Sequence, residues 1–250
     1  MPITACRLYL DTLNFFRHQF STLCLLVLFT TLISLILNQL FTMGGADLSI
    51  FSGLHSSLTE DMNWREIIKE MTPEQHIVLL KLSIAASLSG LIGNVVLLGG
   101  MLVLIPLIST GNDISASRVI YGSVLILPRL LLLMFLCTLM VQVGATLFIV
   151  PGIVLAVGLS MAPLIIYREG LGIFSAIYSS FHLAFANVSL ISPAIMLWFA
   201  LKLVIMLFLR SIPVLHPMII MFIMGLFNHF VSTLLIIYLS RLYMLLKQNT

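Results

Sequence analysis

The chain has 250 residues, 60% apolar and only 8% charged, with a net charge of +3 and a mean hydropathy of +1.17. Soluble domains average about 25% charged residues. So few charges cannot cover a globule of this size, which excludes one water-soluble domain, a disordered tail or a small disulfide scaffold. The composition specifies an integral membrane protein, and its long charge-free runs make it an all-α one, read as a single membrane domain over 1–250.

The N-terminal segment carries Cys6, Leu10, Leu13, Phe16 and Phe20 at helical spacing, with Arg7, Asp11, Asn14 and His18 opposite. That period predicts an amphipathic helix. The charge-free run 18–46 follows and holds a first crossing at about 20–41. Its apolar core exceeds the roughly 7–15 residues of a signal-peptide h-region, and Asn38-Gln39 is a poor cleavage context, so it is read as an uncleaved span.

Segment 42–81 holds six of the nine acids, Asp47, Glu60, Asp61, Glu66, Glu70 and Glu74. Thr42–Leu58 reads as loop, and Asn63–Lys69 and Thr72–Lys81 as short helices. In Thr72-Pro73-Glu74-Gln75, threonine suits the N-cap, proline the first helical position and the acid the positive end of the helix dipole.

A second crossing falls at about 82–108 within the run 82–112. It carries Ala86, Gly90 and Asn94 in one row, with Ser89 and Gly93 alongside. Such small residues let helices approach closely, so Gly90→Leu is expected to disrupt packing. Run 130–167, as one helix, would extend about 57 Å at ~1.5 Å per residue, nearly twice the ~30 Å hydrocarbon thickness. It must turn back, and Pro151-Gly152 marks the turn between crossings at about 130–150 and 153–167.

Two further crossings lie at about 188–209 and 218–240, separated by the prolines of Ser211–Pro217. The reading is six transmembrane helices as three hairpins, with interfacial amphipathic helices on the cytoplasmic side. Before the fifth span, Ile173, Ile177, Phe181 and Ala184 oppose Ser175, Ser179 and His182. A weaker pattern at 114–127 precedes the third. The starts align as Thr4-Ala5-Cys6-Arg7, Ser115-Ala116-Ser117-Arg118 and Ser175-Ala176-Ile177-Tyr178. A repeated unit of interfacial helix plus hairpin and a chance likeness both fit these few identities.

The positive-inside rule sets the orientation. With both termini inside, Arg7, Arg17, Arg118, Arg129, Arg168, Arg241 and Lys247 face the cytoplasm, against Arg65, Lys69, Lys81 and Arg210 outside. Segment 42–81 then faces outward. The expected location is a bacterial inner membrane crossed several times.

Catalytic and ligand motifs are missing: the chain contains no HExxH, GxSxG or GxxxxGK. The six histidines lack ligand spacing, and Cys6, Cys24 and Cys137 have neither metal nor redox spacing. Carboxylates are absent from every predicted span, so the expectation is a protein that is not an enzyme and takes no cofactor or metal. The residues to watch are the polar ones inside the bilayer, where burial is costly: Lys202, Asn228, His229, Asn94 and Gln142. Lys202 can snorkel or pair structurally, or serve transport or a lipid headgroup. Asn228-His229 can be interhelical glue or a proton-responsive site, and the same choice holds for Asn94 and Gln142.

Six stretches resemble the YciC family of uncharacterised multi-pass inner-membrane proteins from enteric-type bacteria. They are Asp11–Arg17, Met71–Gln75, Ser89–Asn94, Val150–Ile153, Gly172–Phe174 with Ala186-Asn187, and Ile237–Met244. The resemblance covers nearly the whole chain in order. It implies an inner-membrane location and carries no catalytic residue. The expected function is support of envelope or lipid organisation, with a small transporter or channel as the alternative. The expected partners are membrane lipids. Nothing points to nucleic acid or to a named protein partner, and a homo-oligomer is left open.

Overall fold

The computed structural model describes residues 5–43, 71–109, 116–210 and 217–248. These form nine helices in chain order: α1 (Ala5–His18), α2 (Phe20–Met43), α3 (Pro73–Ser109), α4 (Ala116–Leu147), α5 (Ile149–Leu159), α6 (Ala162–Glu169), α7 (Ile173–Ala186), α8 (Val188–Arg210) and α9 (Pro217–Gln248). No strand occurs among them. Six stretches are long and apolar enough to cross a membrane: 20–42, 73–108, 122–147, 150–169, 188–209 and 218–248. The predicted loop and short helix within 44–70 lie outside the described residues, as does the link 211–216.

Consecutive long helices pack on one another: α2 on α3, α4 on α5, and α8 on α9. The inner members are α3 and the α5–α6 pair. Val95, Leu98 and Leu102 of α3 join Leu130 and Leu133 of α4, Met161 and Ile165 around α6, and Leu242 of α9 in the main core. A second cluster gathers Phe15, Leu23, Val27, Leu97, Met101 and Ile237. The outer faces of α2, α4 and α8 expose large apolar side chains, including Leu25, Phe29, Leu132, Val204 and Phe208. Lipid tails are as apolar as leucine, so such faces need no protein cover.

Three elements differ from the sequence pattern. First, the helix at 72–81 and the second span are one, α3 of 37 residues. Its start is a reciprocal capping box: Thr72 N–H donates to Gln75 Oε1 at 2.9 Å, and Gln75 N–H donates to Thr72 Oγ1 at 3.4 Å. At about 55 Å it is longer than the ~30 Å hydrocarbon layer.

Second, the interfacial segment before the third span is fused to it in α4, which runs 32 residues through Pro128. Among the described residues, a separate 14-residue helix therefore precedes the first and fifth spans, as α1 and α7.

Third, the reversal lies at Phe148, whose backbone is extended (φ −155°, ψ 149°), ahead of Pro151-Gly152. Pro151 sits in the first turn of α5, where a helix lacks internal partners for its N–H groups. Glycine does the steric work. A Cβ on Gly152 would meet the Cα of Ala145 at 2.8 Å, and one on Gly144 would meet the Cα of Gly152 at 3.3 Å.

The returning span is also broken, into α5 of 11 residues and α6 of 8. Pro163 has no N–H for the carbonyl of Leu159, so the ladder stops at Ser160-Met161. A buried backbone polar group left open at the break needs a partner. Ser180 of α7 supplies one, donating from Oγ to the Gly158 carbonyl at 2.6 Å. Ser180 is fully buried, with Ala176 and Ala184 on the same face. Gly158 leaves room for the Phe181 ring beside it. Ser180→Ala should cost about 1–3 kcal/mol by orphaning that carbonyl, read as a lower melting temperature in detergent. An unchanged melt would mean the bond contributes nothing.

Candidate functional site

Two polar groupings stand out, one within the bilayer and one at the helix ends. The first is built on α8 and α9 against α2 and α3. Lys202 is half-buried, and its Nζ lies 4.2 Å from the centroid of the Trp198 ring, one turn back along α8. Helical side chains lean toward the N-terminus, so the ammonium points toward the span's middle. Trp198 is about 15 Å along α8 from Val188, near the mid-depth of a ~30 Å layer. The lysine thus takes a cation–π seat away from the nearer interface. Trp198 Nε1 donates to Ser232 Oγ of α9 at 3.5 Å.

His229, one turn before Ser232, is buried and within electrostatic reach of Lys202. Its Nε2 is 3.4 Å from Ser34 Oγ of α2, and its Nδ1 is buried without a hydrogen-bond partner among the described residues. Ser34 and His229 both abut Gly93 of α3. Further along the α2–α3 seam, Ser89 Oγ donates to Asn38 Oδ1 at 3.5 Å.

The predicted residues therefore separate. Lys202 and His229 share one neighbourhood. Asn228 turns to its own helix, with Nδ2 donating to the Met224 carbonyl at 2.9 Å. Asn94 is half-buried on α3 beside Gly93, and Gln142 is exposed on α4. The expected row of small residues is corrected: a Cβ on Gly90 meets nothing within 4 Å, and Ala86 is exposed. The close seam lies on the Ser89–Gly93–Gly100 side, where Gly93 meets Ser34 and Gly100 meets Leu26.

A cation held at mid-depth costs about 2.5–3.5 kcal/mol relative to an apolar residue on insertion scales. Lys202→Met keeps the chain length and removes that cost. The variant should melt higher than the parent in detergent; a lower melting temperature would show that the ammonium is a net structural asset.

The second grouping has no counterpart among the residues that the sequence pattern marks. It forms where the C-terminal ends of α6 and α9 meet the middle of α7, around a cavity of about 400 Å³. Glu169 closes α6, followed by Gly170 in the left-handed conformation (φ 66°). Two donors from α9 converge on the same carboxylate oxygen: the Tyr243 hydroxyl reaches Oε1 at 2.6 Å, and Lys247 Nζ reaches it at 2.5 Å. Tyr178, Ser179 and His182 of α7 line the other wall. From α4, Arg129 donates to the Gly170 carbonyl at 2.9 Å and also to that of Leu171, binding the turn at the negative end of α6. The available signal was Glu169 itself, the lone acid after Asp113. Its partners are 74 and 78 residues away and are joined to it only by the fold.

A family model, described as Uncharacterised protein family (UPF0259), matches residues 1–245. The UPF0259 membrane protein of Serratia proteamaculans (strain 568) is 48% identical over 249 residues, covering 99% of this chain and all of its own length. UPF0259 membrane proteins of Yersinia pestis (strain Pestoides F) and Yersinia pseudotuberculosis serotype O:3 (strain YPIII) are each 47% identical, covering 99% of this chain and 97% of their own. No solved structure matches. The YciC likeness and this match name the same family: the chain belongs to UPF0259, a family of membrane proteins.

Proposed function

We propose that the protein is a non-catalytic, multi-pass inner-membrane protein, with both termini in the cytoplasm, that supports envelope or lipid organisation by engaging membrane lipids. In this reading the six crossings pair as three hairpins, and α1 and α7 lie at the cytoplasmic interface. The observation that carries it is α7. At 14 residues, about 21 Å, it is too short to cross the bilayer. It buries Ala176, Ser180 and Ala184 against the bundle, yet leaves Phe174 80% and Tyr178 76% exposed. Aromatic rings with one apolar and one wet side favour the headgroup boundary.

The α1 helix has the same design, shifted from the sequence expectation. Leu8, Thr12 and Phe15 pack inward, the Tyr9 ring meets that of Tyr238 at 4.9 Å with a 35° tilt, and Leu10 and Leu13 remain exposed. A helix that docks by one face and offers apolar side chains on another can hold acyl chains locally. The test is lipid profiling and envelope-stress growth of a deletion strain. Altered lipid composition or raised sensitivity is expected; a normal profile with normal sensitivity overturns the proposal.

Transport is the second reading, favoured by the inward-pointing Lys202 ammonium near His229. It predicts that Lys202→Met, though inserted and stable, fails to complement the deletion in metabolite profiles.

A further inference from the structure

We propose that the cavity between the C-terminal ends of α6 and α9 and the middle of α7 binds the headgroup of a phospholipid bearing a primary ammonium, with Glu169 taking the ammonium and Lys247 the phosphate. This rests on the lipid reading above and names its ligand class.

The cavity has the attributes of a lipid-facing site. It lies at the ends of two crossing stretches, 150–169 and 218–248, beside a helix too short to cross. Ile165, Leu183 and Leu246 supply apolar lining below its polar rim. The exposed Phe174 and Tyr178 continue an apolar surface from α7 along which an acyl chain can run. Its volume of about 400 Å³ falls in the ~300–1,000 Å³ range of small-ligand pockets.

Its charges select the headgroup. Both protein partners of Glu169 use Oε1, and Oε2 accepts no hydrogen bond among the described residues. A carboxylate oxygen with open lone pairs beside a cavity suits an N–H donor that carries positive charge. Lys247 spends one of its three N–H bonds on Glu169 and is 61% exposed, so two remain for phosphate oxygens. Arg168 stands exposed beside Glu169 and adds positive potential, and His182 adds a further nitrogen on the α7 wall. The site thus places one acceptor and several donors within a headgroup's span. A glycerol headgroup would offer the carboxylate only neutral hydroxyls. A trimethylammonium headgroup would offer no N–H at all.

The test uses the purified full chain in detergent, titrated by native mass spectrometry with phosphatidylethanolamine, phosphatidylglycerol, phosphatidylcholine and soluble phosphoethanolamine. Phosphatidylethanolamine should be retained about tenfold better than either other lipid, the worth of one charge-assisted hydrogen bond. Glu169→Gln, which keeps an acceptor for Tyr243, should erase that preference and leave phosphatidylglycerol binding unchanged. Lys247→Gln should weaken all three lipids. Equal retention of the three lipids by the parent protein, or an undiminished preference in Glu169→Gln, overturns the assignment. Soluble phosphoethanolamine binding as tightly as the lipid overturns its lipid source. Lipid binding without headgroup preference defeats this inference alone; no phospholipid binding of any kind defeats the proposed function as well.

Discussion

Gly152→Leu should give a protein that no longer holds its folded form in detergent. At the α4–α5 reversal the two backbones touch. A Cβ on Gly152 would lie 2.8 Å from both the Cα and the Cβ of Ala145 and 2.9 Å from its nitrogen. None of these atoms can rotate away, so the helices must part. Parting them pulls α5 from Leu130, Leu133 and Cys137 of α4, within the main core. Overpacking costs typically about 1–3 kcal/mol, and backbone contact on this scale belongs at or above the top of that range. Size-exclusion profiles after graded heating measure it. Aggregation at temperatures where the parent stays monodisperse is expected, and a parent-like profile would contradict so close an approach of the two backbones.

The second large effect separates two neighbouring glycines. Gly93→Leu places its branch against Ser34, with His229 Cε1 at 3.6 Å from the new Cβ. Ser34 can escape only by giving up its contact with His229, and the leucine body then wedges α2 from α3. A loss of about 2–3 kcal/mol is expected. Gly90→Leu, three residues earlier, adds its Cβ in open space. It exchanges a poor helix former for a good one, so its stability should match or exceed the parent's by up to about 1 kcal/mol. Melting temperatures of the two variants decide the matter: equal losses would contradict the seam through Ser89 and Gly93.

These glycines show how far the sequence could be read. Hydropathy and charge placed six crossings, because a bilayer demands long uncharged stretches whatever their packing. The cap at Thr72 was legible too, since it depends on residues three apart. Which glycine meets a neighbour was not, because it depends on the rotation of α3 against α2. The break at Ser160-Met161 was likewise passed over: Pro163 signalled it, but the apolar run continued around it. The fusion of 116–127 into α4 shows that an interfacial pattern and a continuous helix share one period.

The polar residues divide the same way. Lys202 and His229 were visible as charges where none is cheap, yet the direction of the lysine came only with Trp198 beneath it. Glu169, Tyr243 and Lys247 were each ordinary on their own, and their meeting is a property of the fold.

In the proposed topology the chain crosses six times and its two ends, together with α1, α7 and the Glu169 cavity, share the cytoplasmic face. Fusions to alkaline phosphatase and to green fluorescent protein, each placed after Glu60 and after Thr250, test it most directly. Phosphatase activity after Glu60 with fluorescence after Thr250 is the predicted result. Fluorescence after Glu60 with phosphatase activity after Thr250 would contradict it.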